Sequence, residues 1–368
     1  MTDIHIRSLA KSYGSKSIID CLELDVAEGE FLTLLGPSGC GKTTTLRMIA
    51  GLEKPTGGTI RFGDRIVASP DQNVFVAPES RNLGMVFQSY ALWPHMTVFD
   101  NVAYPLRMRR AAKRDIAQKV QDALRLVGLA DYADRSVSML SGGQQQRVSV
   151  ARAVSAHPGL LLFDEPLSNL DAKLRASMRT ELRALQQRLG ITAVYVTHDQ
   201  LEALAMSDRV LVMNKGEVMQ IGTPADIFRQ PRNRFVADFV GFENLLTGTV
   251  EQYGPDSCAI RMNGGQALKA KGGEPRAVGE TVCVALRASR VALTAATSAD
   301  RAANDFDATI EAVAFLGDTQ QFNLSCLGQT VVATVPVAEL GRAGLAEARP
   351  GDSAVVHLSP DEVIVTAA

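Results

Sequence analysis

The apolar positions of this chain fall into two textures, and the change comes near Phe239. In the first, apolar residues run together. Phe31-Leu32-Thr33-Leu34-Leu35, Leu160-Leu161-Leu162-Phe163 and Ala193 to Val196 are unbroken stretches of strand length. A run without polar alternation predicts a strand covered on both faces. Met85-Val86-Phe87 predicts a further strand ending at Gln88. Between these runs the spacing turns helical: Thr44 to Ala50, closed near Gly51; much of Val98 to Leu140; and Gln144 to Ala156. Gly57 to Val67 reads as a β-hairpin or a pair of edge strands. Strands alternating with helices predict an α/β fold with a mainly parallel sheet, whose ligands gather at the strands' C-terminal ends.

Beyond Phe239 the apolar runs are short, β-rich and cut by Gly, Pro and Asp: Leu246 to Val250, Val282 to Leu286, Ala308 to Phe315, Gln320 to Ser325, Val331 to Val335, Ala354 to Leu358 and Glu362 to Val365. They predict a small all-β domain, a partly open barrel of OB-like type. The expected domains are therefore 1–238, with a helical subdomain at about 90–157, and 239–368. No repeat with a period of 20–50 residues is visible.

Length and composition narrow the class. A chain of 368 residues exceeds one core and favours two domains. Apolar residues at 46% and charged residues at 21% are ordinary for a globular protein. No apolar run approaches the roughly 20 residues that span a bilayer. Met1 to His5 lacks the basic start and apolar core of a signal peptide. Cys21, Cys40, Cys258, Cys283 and Cys326 are scattered, odd in number and without C-x-x-C spacing, which suits a reducing cytosol. A net charge of −2 argues against a dedicated nucleic-acid binder. The basic run Arg107, Arg109, Arg110, Lys113, Arg114 reads as one solvated helix face.

The chemistry sits where the strands end. Gly36-Pro37-Ser38-Gly39-Cys40-Gly41-Lys42-Thr43 is a complete G-x-x-x-x-G-K-T phosphate loop between a strand and a helix. Its glycines let backbone N–H groups close on phosphates, Lys42 supplies a cation, and the Thr43 hydroxyl can ligate Mg²⁺. Asp164, ending an apolar strand, can hold Mg²⁺ directly or through water, and Glu165 beside it can polarise an attacking water. His198 follows the strand Ala193 to Val196, where an imidazole can reach a γ-phosphate; His5, His95, His157 and His357 read as structural. Gln88 ends its strand in the same way, and its amide there can sense Mg²⁺ or the water. A second anion-binding helix start lies at Leu140-Ser141-Gly142-Gly143-Gln144-Gln145-Gln146-Arg147. Two such helix starts with one phosphate-loop lysine point to a nucleotide held between two copies of the chain.

The order GPSGCGKT, VFQ, LSGGQQQR, LLLFDEP, SNLD and VTHD resembles the ATP-binding-cassette ATPases over the first two-thirds of the chain. Gly84 to His95 and His198 to Ala203 are similar to the ATPase subunits of bacterial binding-protein-dependent importers, the type with a C-terminal TOBE β-domain. The resemblance implies an ATPase that uses ATP with Mg²⁺. It implies that Tyr13 stacks on adenine, although an ordinary strand tyrosine fits that position too. Gly36 to Thr44 (Gly36, Pro37, Ser38, Gly39, Cys40, Gly41, Lys42, Thr43, Thr44) would bind phosphates. Thr43, Gln88 and Asp164 would surround Mg²⁺, Glu165 would be the general base and His198 the γ-phosphate switch. Asp171 would contact the partner subunit, and Ser141, Gly142, Gly143 and Gln144 would close over the opposite subunit's ATP in a homodimer. A monomer should then bind ATP yet scarcely hydrolyse it. Cys40, at a variable loop position, is a candidate oxidation-sensitive point.

The family reading implies separate membrane permease subunits, a solute-binding protein, and a peripheral place at the cytoplasmic face of the inner or plasma membrane. Trp93, among Tyr90, Leu92 and Met96, belongs either to core packing or to the surface that receives a coupling helix. The overall look leans toward iron(III), polyamine or phosphonate importers, with sugar or glycerol-phosphate import as the alternative. A cassette ATPase acting on ribosomes or DNA is disfavoured by the single cassette and the absence of a heptad array or cysteine clusters. An exporter ATPase is disfavoured by the β-rich tail.

Overall fold

Strand residues that alternate between two cores build the centre of the first part of the chain. In β8 (Leu160–Asp164), Leu160 and Leu162 join one core, and Leu161 and Phe163 join another. This computed structural model describes residues 2–273, 275–296 and 302–368, so the expectation placed on Met1 lies outside the described residues. The chain divides into two units, 1–225 and 226–368.

In the first unit, β3 (Phe31–Leu35), β7 (Leu83–Val86), β8, β9 (Thr192–Thr197), β10 (Arg209–Asn214) and β11 (Glu217–Gly222) form a sheet of order β11-β10-β3-β9-β8-β7. All its pairs are parallel except β10 with β11. On one face Phe31, Phe163 and Tyr195 stack within 6.3 Å of one another and meet the helical side of the unit. That side comprises α2 (Val98–Met108), α3 (Lys113–Leu126), α4 (Gly142–Val154) and α5 (Ala172–Leu189). On the other face lie α1 (Lys42–Ala50) and a second sheet. The short α6 (Gln200–Met206) follows β9.

The second sheet is antiparallel, in order β2-β1-β4-β5-β6: β1 (Ile4–Tyr13), β2 (Lys16–Val26), β4 (Gly57–Phe62), β5 (Arg65–Ser69) and β6 (Val74–Phe75). Only its β4–β5 hairpin was expected from sequence. β1 and β2 hide because their pairing shifts register three times, with Ser8 and Cys21 at positive φ. Each bulge breaks the two-residue alternation that announces a strand.

Four element boundaries differ from the sequence expectation. α1 starts at Lys42, not Thr44, because left-handed Gly41 (φ 109°) caps it and draws Lys42 and Thr43 into the first turn. β7 ends at Val86, so Gln88 lies in a turn rather than at a strand end. α4 runs Gly142–Val154 instead of Gln144–Ala156, because Ser141 caps it. The stretch Val98 to Leu140 holds α2 and α3, then two short 3₁₀ turns. No helix among the described residues is long and apolar enough to cross a membrane.

The second unit is β-rich, as expected. Its first sheet is β14-β13-β12-β15-β21: β12 (Asn244–Tyr253), β13 (Ser257–Met262), β14 (Ala267–Lys271), β15 (Thr281–Leu286) and β21 (Ile364–Ala367). The other is β16-β20-β17-β18-β19: β16 (Val291–Ala295), β17 (Asp305–Phe315), β18 (Thr319–Cys326), β19 (Gln329–Pro336) and β20 (Ser353–Leu358). Both are antiparallel and share one apolar core, from Leu246 and Ile260 to Phe322 and Val356. The first sheet curls until Lys271 N–H donates to Pro360 C=O at 3.0 Å, near β21. The division at Ala225 precedes residue 238 because α8 (Arg234–Phe239) and Phe228, in α7 (Pro224–Arg229), pack with this unit. Arg287 lies 3.6 Å over the Phe228 ring, and Asn233 bridges to Ala367.

Candidate active site

β3, β9 and β8 lie side by side, and each ends in residues that carry chemistry. From β3 the chain enters the phosphate loop. Only glycine fits at Gly36, where a Cβ would come within 2.3 Å of Met213 C=O. Lys42 is buried, and its Nζ donates to Gly36 C=O at 2.7 Å and Pro37 C=O at 2.9 Å. The loop thus wraps around its own ammonium, and the first-turn N–H groups of α1 have no acceptor within the helix. Cys40 is buried, with Sγ 3.8 Å from Lys42 Nζ.

At the end of β8, Thr43 Oγ1 donates to Asp164 Oδ1 at 3.3 Å, joining phosphate loop and strand. Burial pushes the Asp164 carboxyl above the usual range, against the pull of Arg47, Thr43 and Lys42. A buried carboxylate beside a hydroxyl is a hard-oxygen pair that a small divalent cation would compensate. With one or two carboxylates and substrate phosphates as its usual ligands, Mg²⁺ fits this donor set.

Glu165 takes a left-handed backbone, φ 44°, and its N–H donates to Val196 C=O at 3.1 Å. The turn carries its side chain to His198, with Oε2 3.1 Å from Nδ1. Here Glu165 is one-fifth exposed and His198 about half. Beneath them is a cavity of about 70 Å³ lined by Glu165, Ser168, Arg175, His198, Asp199 and Glu202, among others. That volume exceeds what one water needs. His198 rests on a built floor. Asp199 N–H donates to Thr197 Oγ1, and the Thr197 and Tyr195 hydroxyls donate to buried Glu202 at 2.6 and 2.8 Å. Burial raises the Glu202 carboxyl, opposed by those two hydroxyls.

The other expected residues stand around this centre. Tyr13 closes β1, about half exposed, with Lys11 Nζ 4.5 Å from the centre of its ring. Gln88 is exposed in a turn, and Asn169 Nδ2 donates to its carbonyl at 2.9 Å. Asp171 caps α5, accepting from Leu174 N–H at 2.9 Å. Ser141 and Gln144 form a reciprocal capping box at the start of α4, and Gly143 leaves room for Leu174, which a Cβ would meet at 2.7 Å. The structure therefore gathers Lys42, Thr43, Asp164, Glu165 and His198. The hydrogen bonds of Ser141, Gln144 and Asp171 close on their own helix starts. Trp93 is half-buried, its ring 4.3 Å from Tyr104 and 5.1 Å from the Arg152 guanidinium.

Residues 19–168 match the model of the ABC transporter family, and residues 284–365 match the TOBE domain. Over 97% of this chain and 95% of its own length, the Fe(3+) ions import ATP-binding protein FbpC 1 of Pectobacterium atrosepticum is 42% identical. The chain belongs to the ABC transporter family. It is an ABC-type ATPase coupled to import, with a TOBE domain behind the cassette. The spermidine/putrescine import ATP-binding protein PotA 2 of Pseudomonas aeruginosa is 45% identical, covering 92% of each chain. The trehalose/maltose import ATP-binding protein MalK of Thermococcus litoralis is 52% identical over 69% of each. Among solved structures, the dimeric bacterial ABC transporter cassette MJ0796 aligns with TM-score 0.53 and 30% identity, over 60% of this chain and 98% of its own.

Sequence reading of this ABC ATPase missed Glu202, Arg175 and Asn169. Arg175 donates to Leu170 C=O and pairs with Asp199 at 3.4 Å, tying the loop before α5 to the histidine turn. Asn169 stands in the SNLD segment and Glu202 in the HDQLEA segment, and both segments were noticed for other residues.

Proposed function

We propose that this ABC ATPase powers a polyamine, iron(III) or phosphonate importer as a homodimer at the cytoplasmic face of the membrane. Permease subunits above it would receive solute from a solute-binding protein. What supports the solute class is the make-up of the relatives. One polyamine and one iron relative align along 92% and 95% of their lengths, β-rich unit included. Further polyamine and iron relatives align along 66% and 69%, no further than the trehalose/maltose relative at 69%. That last relative, at 52% identity, keeps sugar import as the second reading.

In the proposed mechanism the first-turn N–H groups and Lys42 hold the β- and γ-phosphates, and Tyr13 stacks on the base. Thr43, Asp164 and Gln88 would hold Mg²⁺, which when bound supplies charge neutralisation at the phosphates. Glu165 takes a proton from the attacking water, and His198, held by that carboxylate, donates to a γ-phosphate oxygen. Ser141 to Gln144 of one copy close over the nucleotide of the other, and Asp171 faces the partner.

Glu165→Gln is expected to lower kcat at least about 100-fold, the usual share of a general base. It should also accumulate an ATP-bound dimer on size exclusion, and near-normal turnover overturns the assignment. For the solute, ATPase activity of the reconstituted complex is expected to rise with spermidine or iron(III) and its binding protein. A rise with trehalose or maltose alone selects the sugar reading.

A further inference from the structure

Arg152 is a buried cation that nothing in the proposed mechanism uses. It lies in α4, ten residues beyond the start of the helix at Gly142, and forms no ion pair among those of the described residues. Its guanidinium lies over the Trp93 ring at 5.1 Å and gives its hydrogen bonds to main-chain oxygens: Nη1 donates to Ala91 C=O at 2.5 Å and Nη2 to Tyr90 C=O at 2.9 Å. Ser149, one turn earlier, donates to the same Tyr90 oxygen at 3.0 Å. A cation without a carboxylate in a buried place is costly, so the carbonyls that hold it matter.

Those carbonyls belong to a strained turn. Tyr90 and Ala91 are consecutive non-glycine residues in the left-handed region, φ 62° and 49°. Such backbone costs on the order of 1–2 kcal/mol per residue and persists only where its surroundings hold it. The turn is closed by Tyr90 N–H to Phe87 C=O at 3.0 Å, which makes Gln88 its second residue. Gln88 is thus fastened on both sides. Its own carbonyl accepts from Asn169, and the carbonyls two and three residues on are gripped from α4. α4 is the helix whose first turn carries Ser141 to Gln144.

We propose that Arg152 is a positioning residue for hydrolysis: its two-pronged grip on Tyr90 and Ala91 sets where the Gln88 amide stands. The grip also makes that placement move with the helix that begins at Ser141. The inference rests on the proposed role of Gln88. Lysine in its place keeps the charge but cannot span both carbonyls in one plane.

The test is a double-mutant cycle on the full chain, with kcat and KM for ATP measured for Gln88→Ala, Arg152→Lys, Ser149→Ala and the two pairs with Gln88→Ala. Arg152→Lys is expected to lower kcat about tenfold and Ser149→Ala about threefold, with KM for ATP unchanged within about twofold. In the Gln88→Ala background both are expected to cost less than about twofold further. Losses that multiply in the pair, or a raised KM with kcat intact, overturn the proposal and leave the Gln88 role standing. If Gln88→Ala alone turns over normally, the Gln88 role falls and the proposal with it. Should Arg152→Lys fail to fold, the Ser149→Ala cycle decides by the same criterion.

Discussion

Two arginines of the first unit, Arg81 and Arg152, are both buried and do the same chemistry, yet they serve different regions. Burial pushes each guanidinium down to about 10, and each is held by carbonyl oxygens instead of carboxylates. Arg81 donates to Met48 and Ile49, the last turn of α1, and to Val67 and Val76 in and beside the antiparallel sheet. Carbonyls at a helix C-terminus lack partners within the helix and carry the negative end of its dipole, so this arrangement is stable without strain. Arg152 instead grips a turn that is strained and carries Gln88, the residue proposed to face Mg²⁺. The difference lies in the acceptors: a cation on a helix end rivets the fold, whereas a cation on a strained turn sets a position.

The comparison can be broken in several places, and the largest effect is expected at Arg81. Arg81→Met takes the donor from the Ile49 and Val76 carbonyls, while Met48 and Val67 C=O keep bonds from Gly51 and Val76 N–H. It should destabilise by about 4 kcal/mol in urea unfolding, at roughly 1–3 kcal/mol for each unmet group. A loss under about 1 kcal/mol would mean that Arg81 is no rivet. Gly51→Ala comes next. Gly51 is left-handed (φ 82°), and a Cβ there would lie 2.5 Å from Arg81 Nε, so a cost of about 2 kcal/mol is expected. Part of that cost should vanish in the Arg81→Met background, where the longer-range clash is gone; full additivity would separate the two residues. Ser149→Ala removes one of the bonds on Tyr90 and should cost about 1 kcal/mol of stability, so a threefold fall in kcat would stand out from it.

The smallest effect marks the surface baseline. His5 bonds Asp25 at 2.6 Å and Asp3 at 3.1 Å while remaining well exposed, and those carboxylates raise its pKa above 6.5. A raised folded value means the stabilisation is fully present below pH 6.5 and is lost as pH rises through the folded value. His5→Asn should therefore cost about 0.5 kcal/mol at pH 5.5, less in high salt, and nothing by pH 8.5. A loss independent of pH would remove charge from the explanation.

The parts of the site that were legible in the sequence are those whose partners lie next to them in the chain. The phosphate loop announces itself because strand, glycines, lysine and helix are contiguous, and Asp164 with Glu165 because an apolar run ends there. Gln88 was noticed but misplaced by one element, since a strand and the turn after it share the same apolar lead-in. Arg81, Asn169 and Arg152 were invisible for a common reason. Their acceptors are main-chain oxygens 33, 81 and 62 positions away, and a carbonyl carries no side-chain signature. β1 and β2 escaped because bulges erase periodicity, whereas β3, β8 and β9, buried on both faces, could be read from hydrophobicity alone.

The left-handed backbone at Glu165 has a consequence for how this centre could change. Asp164 and Glu165 are neighbours in the chain, so a regular strand would set them on opposite faces of the sheet. One rotation at φ 44° instead sends the first inward, toward Thr43, and the second outward, toward His198 and water. The proposed division of labour between two nearly identical acids is therefore written in the main chain. Exchanging their identities, Asp164→Glu with Glu165→Asp, would leave a dry acid and a wet acid in the same two places, each with a side chain of the wrong reach.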